Sequence, residues 1–182
     1  HHERLDRLGS ENAMTRPAGT NPPENDRHAR ILTLAALFQG DFSIDWLQAL
    51  EPARASDILQ SLEQGADRGL VVRKEPGVYA FNADGDRQRL AAEIPPDQQA
   101  GLRGRIVEIF LAEATDESEG VKAAAGQLLH ISNQTEGCRL LLRAGDIFRR
   151  EFQPASALRC YEKIFKDLRD ATDGTSDFLF IE

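Results

Sequence analysis

The stretch "AGDIFRREFQPASALRCYEKIF", residues 144–165, decides the fold of the C-terminal half of this chain. Two helical faces of small and apolar residues lie on either side of its central Pro154: Leu141, Ala144, Gly145 and Phe148 before it, and Ala157, Leu158, Tyr161, Ile164, Phe165 and Leu168 after it. Small residues let two helix backbones approach closely, and aromatic residues fill the space beside that contact. The spacing therefore predicts a tight antiparallel helical hairpin.

The N-terminal half has a different pattern, in which three helical segments precede a segment rich in Val, Tyr and Phe. The helices are predicted from a cap at Asp26 to Gly40, from a cap at Ser43 to Pro52, and over residues 53–68 with Gly69 as the stop. In "LVVRKEPGVYAFN", residues 70–82, Leu70–Arg73 are predicted to pair with Val78–Asn82. Pro76-Gly77 suits the two central positions of a type II turn. Three helices followed by a hairpin is the order of a winged-helix domain.

From Asp84 onward the chain is helical in pattern. Asp84 and Asp97 are predicted to cap two helices. The apolar stripes of the second of these helices and of the one after it are Leu102, Ile106, Ile109 and Phe110, then Val121, Ala124, Ala125 and Leu128. An all-helical half after a small α+β half indicates two modules.

The hairpin around Pro154 resembles one tetratricopeptide repeat. That family has a small residue at its eighth position, a large one at the eleventh, alanine at the twentieth and an aromatic at the twenty-fourth, and Gly145, Phe148, Ala157 and Tyr161 match these offsets. Leu141 stands where the family has tryptophan, Ile164 where it has a later alanine, and the closing proline is missing. Since stacking normally needs three or more repeats, we expect the native chain to continue with another helix at "TSDFLFIE", residues 175–182.

The earlier half carries a second resemblance. "GADRGLVV", residues 65–72, the hairpin, and "EIPPDQQAGLRGRIVEIF", residues 93–110, follow the order of the winged-helix segment in large bacterial signalling ATPases and transcription regulators. The resemblance implies a sensing or coupling module and not a catalytic one. The nucleotide-binding part of that family is absent, since these residues hold no G-x-x-x-x-G-K-[ST] motif. The two cysteines and the missing signal peptide indicate a reducing cytoplasm. Two alternatives stay open: a transcription regulator that binds DNA through its third helix, and a regulatory part of a larger nucleotide cyclase, kinase or ATPase.

The fold prediction is thus a mainly α protein. A small winged-helix domain of three helices plus a β-hairpin occupies residues 26–95, and antiparallel helical hairpins of tetratricopeptide-like type occupy residues 96–182. Residues 1–25 are interpreted as a tag remnant and a disordered lead-in. The structural repeat residues are Leu141, Ala144, Gly145, Phe148, Ala157 and Tyr161.

The composition of the chain indicates which classes of partner it can bind. The net charge of −8 and the pI of about 5.1 argue against nucleic acid and anionic membranes, whose binding depends on clustered Lys and Arg. No apolar run is long enough to span a bilayer, and no signal peptide pattern is present. The expected partner is a protein, either another domain of the same polypeptide or a second chain. The apolar end of an incomplete repeat stack can also pair with a second copy.

Candidate sites for chemistry are few. His28 and His130 have no further ligands at metal spacing, and His130 is expected to meet a carbonyl or water. Cys138 and Cys160 are predicted to be buried apolar residues and not a disulfide. No catalytic, cofactor or metal site is predicted. Arg139, Arg143, Arg149 and Arg150 offer either a groove for an acidic peptide or, as the favoured interpretation, a solvated helix face.

Overall fold

A computed structural model of the chain describes residues 24–176. The described part is mainly helical, as predicted, with a small antiparallel sheet. Its elements in chain order are α1 Glu24–Ala35, β1 Phe42–Ser43, α2 Ile44–Leu50, α3 Ala55–Asp67, β2 Val71–Glu75, β3 Val78–Phe81, α4 Asp84–Ala91, α5 Pro96–Glu113, α6 Glu117–Leu128, α7 Thr135–Arg150 and α8 Pro154–Ser176. The predicted lead-in lies outside the described residues except for 24–25, which begin α1. The helix expected at "TSDFLFIE" lies outside them beyond residue 176.

The predicted β-hairpin is confirmed, and a third strand joins it. Val71 pairs with Phe81, and the turn between β2 and β3 places Gly77 at φ 79°, a conformation that glycine adopts without strain. The short β1 was not predicted, because two residues give no readable alternation. It pairs with the other edge of β3, with Phe42 opposite Tyr79, so the strand order is β1-β3-β2.

Two of the predicted helix ends are confirmed by the local hydrogen bonds. The Ser43 hydroxyl accepts a hydrogen bond of 3.1 Å from the Trp46 amide at the start of α2. Gly69 follows α3 at φ 73°, and its amide donates to the Ala66 carbonyl at 2.9 Å. Both signals are local, so a sequence pattern is enough to locate them.

Three of the predicted caps are wrong. Asp26 lies inside α1, Asp84 is the first residue of α4, and Asp97 is the second residue of α5. Helix α5, which contains Asp97, begins at Pro96 because a proline has no amide to leave unpaired and its φ already suits the first helical position. Asp84 instead forms an ion pair with Arg87 within the first turn.

The end of α1 also differs from the prediction. The helix ends at Ala35, and the chain continues in tight turns in which the Leu37 amide donates to the Leu34 carbonyl at 3.1 Å. Gly40, with φ 83°, follows these turns and does not itself terminate the helix. The turns leave carbonyl groups at the C-terminal end of α1 that need partners from elsewhere.

The apolar side chains form two cores. The first core lies between α1, α2, α3, the sheet, α4 and α5, and is centred on aromatic rings. The Phe38 ring is 5.8 Å from Trp46 and 6.0 Å from Phe110, and Trp46 is 5.1 Å from Phe110 in an edge-to-face arrangement. Such aromatic pairs add to the stabilisation from burial.

The second core lies between α5, α6, α7 and α8. Its buried apolar members are Val107, Val121, Ala124, Ala125, Leu128, Leu141, Ala144, Ile147 and Cys160. Helix α5 belongs to both cores, since Ile106 and Phe110 pack in the first and Val107 packs in the second. The helix that the two cores share begins at Pro96, and the boundary between residues 95 and 96 stays a prediction.

Candidate functional site

The carbonyls that follow the C-terminal end of α1 accept hydrogen bonds from side chains of α4 and α6, and a side chain of α5 supports one of these donors. The Gln127 amide of α6 donates to the Leu37 carbonyl at 2.9 Å, and the Arg87 guanidinium of α4 donates to the Ala36 carbonyl at 3.2 Å. Arg103 of α5 donates in turn to the Gln127 side-chain carbonyl at 2.7 Å. We call Arg87, Arg103 and Gln127 the α1 cap network. It joins the first core to α6 of the second core through polar contacts.

Arg103 is an unusual member of this network because its charge is buried. It is 6% exposed, and its Nε has no hydrogen-bond partner among the described residues. Burial, with a smaller contribution from the Arg87 charge, lowers the pKa of Arg103. The last carbonyls of a helix carry the negative end of its dipole, so the end of α1 is a favourable place for the two arginines.

His130 extends the contact between the two halves. The Gln39 amide donates to His130 Nε2 at 2.9 Å and approaches the Gly126 carbonyl at 3.4 Å. The partner of His130 Nε2 is a side chain 91 residues away and not the expected carbonyl, and a water partner for this histidine stays a prediction. Burial lowers the pKa of His130, and nearby positive charges, among them Arg103, lower it further. The acceptor role of Nε2 likewise requires the neutral ring.

Helices α7 and α8 form the close hairpin that the sequence indicates. A Cβ added at Gly145 would lie 2.5 Å from Tyr161 Cε1, which is closer than two carbon atoms approach without displacement. The Tyr161 hydroxyl donates to Asp146 Oδ1 at 3.0 Å, and this bond fixes the ring over the glycine. Of the other four repeat residues, Leu141, Ala144 and Ala157 are buried and Phe148 is half-buried.

The apolar face predicted for α8 is only partly buried. Leu158 is 55% exposed, Phe165 78% and Leu168 54%. The inward side of α8 is formed by Ala157, Cys160, Ile164 and Asp167, and the Tyr161 ring packs over Gly145 of α7. Helical periodicity identified the apolar positions correctly, but it could not show that no described element covers half of them.

The four arginines of the candidate groove are all exposed and do not share one face. At about 100° per residue, Arg139, Arg143 and Arg150 lie on one side of α7, whereas Arg149 lies about 80° away. Arg139 forms an ion pair with Glu136, Arg143 with Glu117 of α6, and Arg149 approaches Asp146 at 3.8 Å. These pairs suit the solvated interpretation, and binding of an acidic peptide stays a prediction.

A histidine and a serine that the sequence did not connect meet in the first half. His28 Nδ1 lies 2.7 Å from the Ser61 Oγ, and Ser61 donates its hydroxyl proton to the Asp57 carbonyl at 2.6 Å. Because the serine already donates, His28 must donate from Nδ1 to Ser61. The ring therefore cannot act as a base toward this hydroxyl, which is fully buried. The contact ties α1 to α3.

Both cysteines are buried and free, as predicted. Burial raises the pKa of the Cys138 and Cys160 thiols, so both favour the protonated form, which is a poor nucleophile and metal ligand. Cys160 packs in the second core. These residues act as small apolar side chains.

A surface groove of about 820 Å³ lies between α1 and the start of α3. Its charged lining is largely paired: Arg27 contacts Asp57 at 3.1 Å, and Arg30 contacts Glu51 at 2.9 Å. Within residues 24–176, no three His, Cys, Asp or Glu side chains cluster as a metal site requires. None of the helices described there has both the length and the apolar character needed to span a membrane.

Comparison with models of known protein families, with curated proteins and with solved structures gave no match to this chain.

Proposed function

We propose that this chain is a non-catalytic protein-interaction or interdomain coupling module of a bacterial signalling or regulatory protein. In this proposal, residues 26–95 form a degenerate winged helix and residues 96–182 form tetratricopeptide-like hairpins. The observation that carries the proposal is the double role of α5, which contributes Ile106 and Phe110 to the first core and Val107 to the second. Because one helix belongs to both cores, a displacement of either core moves the other, and this holds for any partner that binds to one of them.

The α1 cap network supplies a second link. A partner that moved the α7–α8 hairpin would also displace α6, because Leu141 and Ala144 of α7 pack beside Val121 and Ala124 of α6 in the second core. Gln127, on the same helix, bonds to the Leu37 carbonyl at the end of α1. Close-packed interiors transmit such displacements and do not absorb them. The first module would therefore respond to an event at the second.

Native-state hydrogen exchange tests this coupling. Leu141→Ala removes a fully buried side chain of the second core and is expected to cost about 2–5 kcal/mol. If the cores are coupled, the slowest amides of α1 and β3 lose as much protection as those of α6. The matched control is Leu142→Ala, which truncates the next residue on the exposed side of α7 and should change neither set. Loss of protection confined to α6, α7 and α8 would contradict the proposal.

DNA binding is the competing function, and charge separates it from the proposal. The exposed side of α3 carries Glu63 and Asp67, which phosphate would repel. The tip of the β2–β3 hairpin offers Arg73 and Lys74 next to Glu75. In a mobility shift with mixed genomic DNA at several salt concentrations, we expect no tight complex. Tight, salt-sensitive binding to DNA would contradict the proposed interaction module and support a DNA-binding transcription regulator instead.

A regulatory role within a larger nucleotide cyclase, kinase or ATPase is compatible with the same coupling mechanism. Reading the full gene distinguishes this version, because a catalytic domain would be encoded next to these residues. The exchange experiment would then be repeated on the longer chain, with enzyme activity as an added readout.

A further inference from the structure

Three exposed apolar residues of α8, together with the half-buried Tyr161, form one continuous stripe. The Tyr161 ring lies at the edge of this stripe, because it also packs against Gly145 of α7. At about 100° per residue, Leu158, Tyr161, Phe165 and Leu168 fall within an arc of about 80° along roughly three turns of the helix. We call these four residues the α8 outer face. Phe165, near its centre, is among the most exposed large apolar side chains described. Contiguous apolar surface of this kind marks a place of association.

The two edges of the α8 outer face differ. On one edge, Ala157 and Ile164 pack toward α7, so that side is already occupied. On the other edge lie Glu162, Lys166 and Arg169, all exposed, within about the next 80° of arc. A helix approaching the outer face therefore meets one charged edge, with an acidic residue toward the N-terminus and two basic residues toward the C-terminus.

The charged edge of α8 is complementary to the same edge of a second copy when the two helices are related by a two-fold axis. When two identical helices pack antiparallel about a two-fold axis, the same edge of each faces the other in reverse order. When Leu158 of one copy lies opposite Leu168 of the other, Tyr161 lies opposite Phe165, so one antiparallel register satisfies both pairs. Glu162 of one copy then lies within one turn of Lys166 of the other, and the same contact occurs twice.

We infer that two copies of this chain associate through antiparallel packing of their α8 outer faces. The inference rests on the proposed function, because it names the partner of the interaction module. A parallel pair is disfavoured, since the charged edge of one helix would then meet the edge that α7 occupies. One helix face is smaller than a standard interface, so we expect a dissociation constant on the order of tens of micromolar.

Sedimentation equilibrium of the full 182-residue chain measures this association. Phe165→Asp should weaken dimerisation by about 30-fold or more, because it places a charge at the centre of the apolar contact. Leu111→Asp makes the same change at an exposed apolar residue of α5 and should leave the dimer intact. Circular dichroism checks that both variants keep their helices.

Charge reversal tests the orientation. Glu162→Lys and Lys166→Glu should each weaken the dimer by about threefold or more, since each creates two like-charge contacts. The double variant Glu162→Lys with Lys166→Glu restores opposite charges and should return close to the wild-type constant. Single reversals without effect, or a double variant that is weaker than both, would overturn the antiparallel arrangement.

Other outcomes identify other occupants of the face. A chain that stays monomeric at concentrations on the order of 1 mM overturns the inference. If a variant ending at Ser176 dimerises while the full chain does not, the segment 177–182 covers the face instead. Dimerisation that survives Phe165→Asp places the interface elsewhere. A monomer whose exchange behaviour still shows coupled cores would refute this inference and leave the proposed function standing.

Discussion

Gly145→Ala is the most direct test of the close contact between α7 and α8. The new Cβ would lie 2.5 Å from Tyr161 Cε1 and 2.9 Å from Cζ, so the ring must move. That ring also donates a hydrogen bond to Asp146 at 3.0 Å, which any movement would lengthen. Forcing an extra methyl into a packed contact costs about 1–3 kcal/mol.

A second effect of the same substitution opposes this cost. Alanine is favoured over glycine inside a helix by about 1 kcal/mol. Gly145→Ala should therefore lower the free energy of unfolding by about 0–2 kcal/mol. The matched control is Gly101→Ala in α5, where nothing lies within 4 Å of the added Cβ. That variant shows the helix effect alone and should gain about 0.5–1 kcal/mol.

Urea unfolding of both glycine variants, followed by circular dichroism, measures the difference between them. We expect Gly145→Ala to be less stable than Gly101→Ala by about 1–3 kcal/mol. Adding Tyr161→Leu to Gly145→Ala should recover part of that gap, because the smaller side chain leaves room for the methyl group. If Gly145→Ala stabilises the protein as much as Gly101→Ala does, the α7–α8 contact is not close and the reasoning fails.

Three further outcomes follow from the polar contacts. Gln127→Leu removes the donor to the Leu37 carbonyl and should cost about 2–5 kcal/mol in urea unfolding, whereas Gln98→Leu on the exposed side of α5 should change stability by no more than about 0.5 kcal/mol. Because the pKa of His130 is lowered in the folded chain, the unfolded chain binds more protons, and the free energy of unfolding should fall as pH drops through about 6.5. The difference between the pH dependence of the wild type and that of His130→Gln isolates this contribution. If the two proteins show the same pH dependence, the prediction is contradicted. Ser43→Ala should cost about 1 kcal/mol by removing the α2 cap, and thermal unfolding at one pH measures it.

The features that could be predicted from the sequence are local ones. Gly69 and the Pro76-Gly77 turn were located correctly because left-handed backbone and fixed φ are properties of single residues. The apolar stripe of α6 was also identified correctly, because a helix with one buried face shows its period over a dozen residues. Asp84 and Asp97 were misassigned by one or two positions, since several neighbouring residues can start a helix and the choice depends on the preceding chain.

The α1 cap network could not be predicted, because its members come from helices far apart in sequence. One signal was nevertheless present. Arg103 lies three residues before Ile106, and Gln127 three residues after Ala124, so each polar residue occupies a position where the stripe calls for an apolar one. A long polar side chain on a buried stripe indicates a carbonyl or carboxylate nearby, but it does not say which. The exposure of Phe165 escaped prediction for a related reason: periodicity shows which face is apolar, not which neighbour covers it.

The shared position of α5 has a consequence for how the protein is made. Synthesis runs from the N-terminus, and domains usually fold as soon as their residues have emerged from the ribosome. Here the aromatic cluster around Phe38 and Trp46 is completed by Phe110, so the first core cannot close until the ribosome has released that residue. Until then the nascent chain presents an incomplete aromatic surface to chaperones, and a gene fragment ended at residue 95 would keep that surface exposed for as long as it survives.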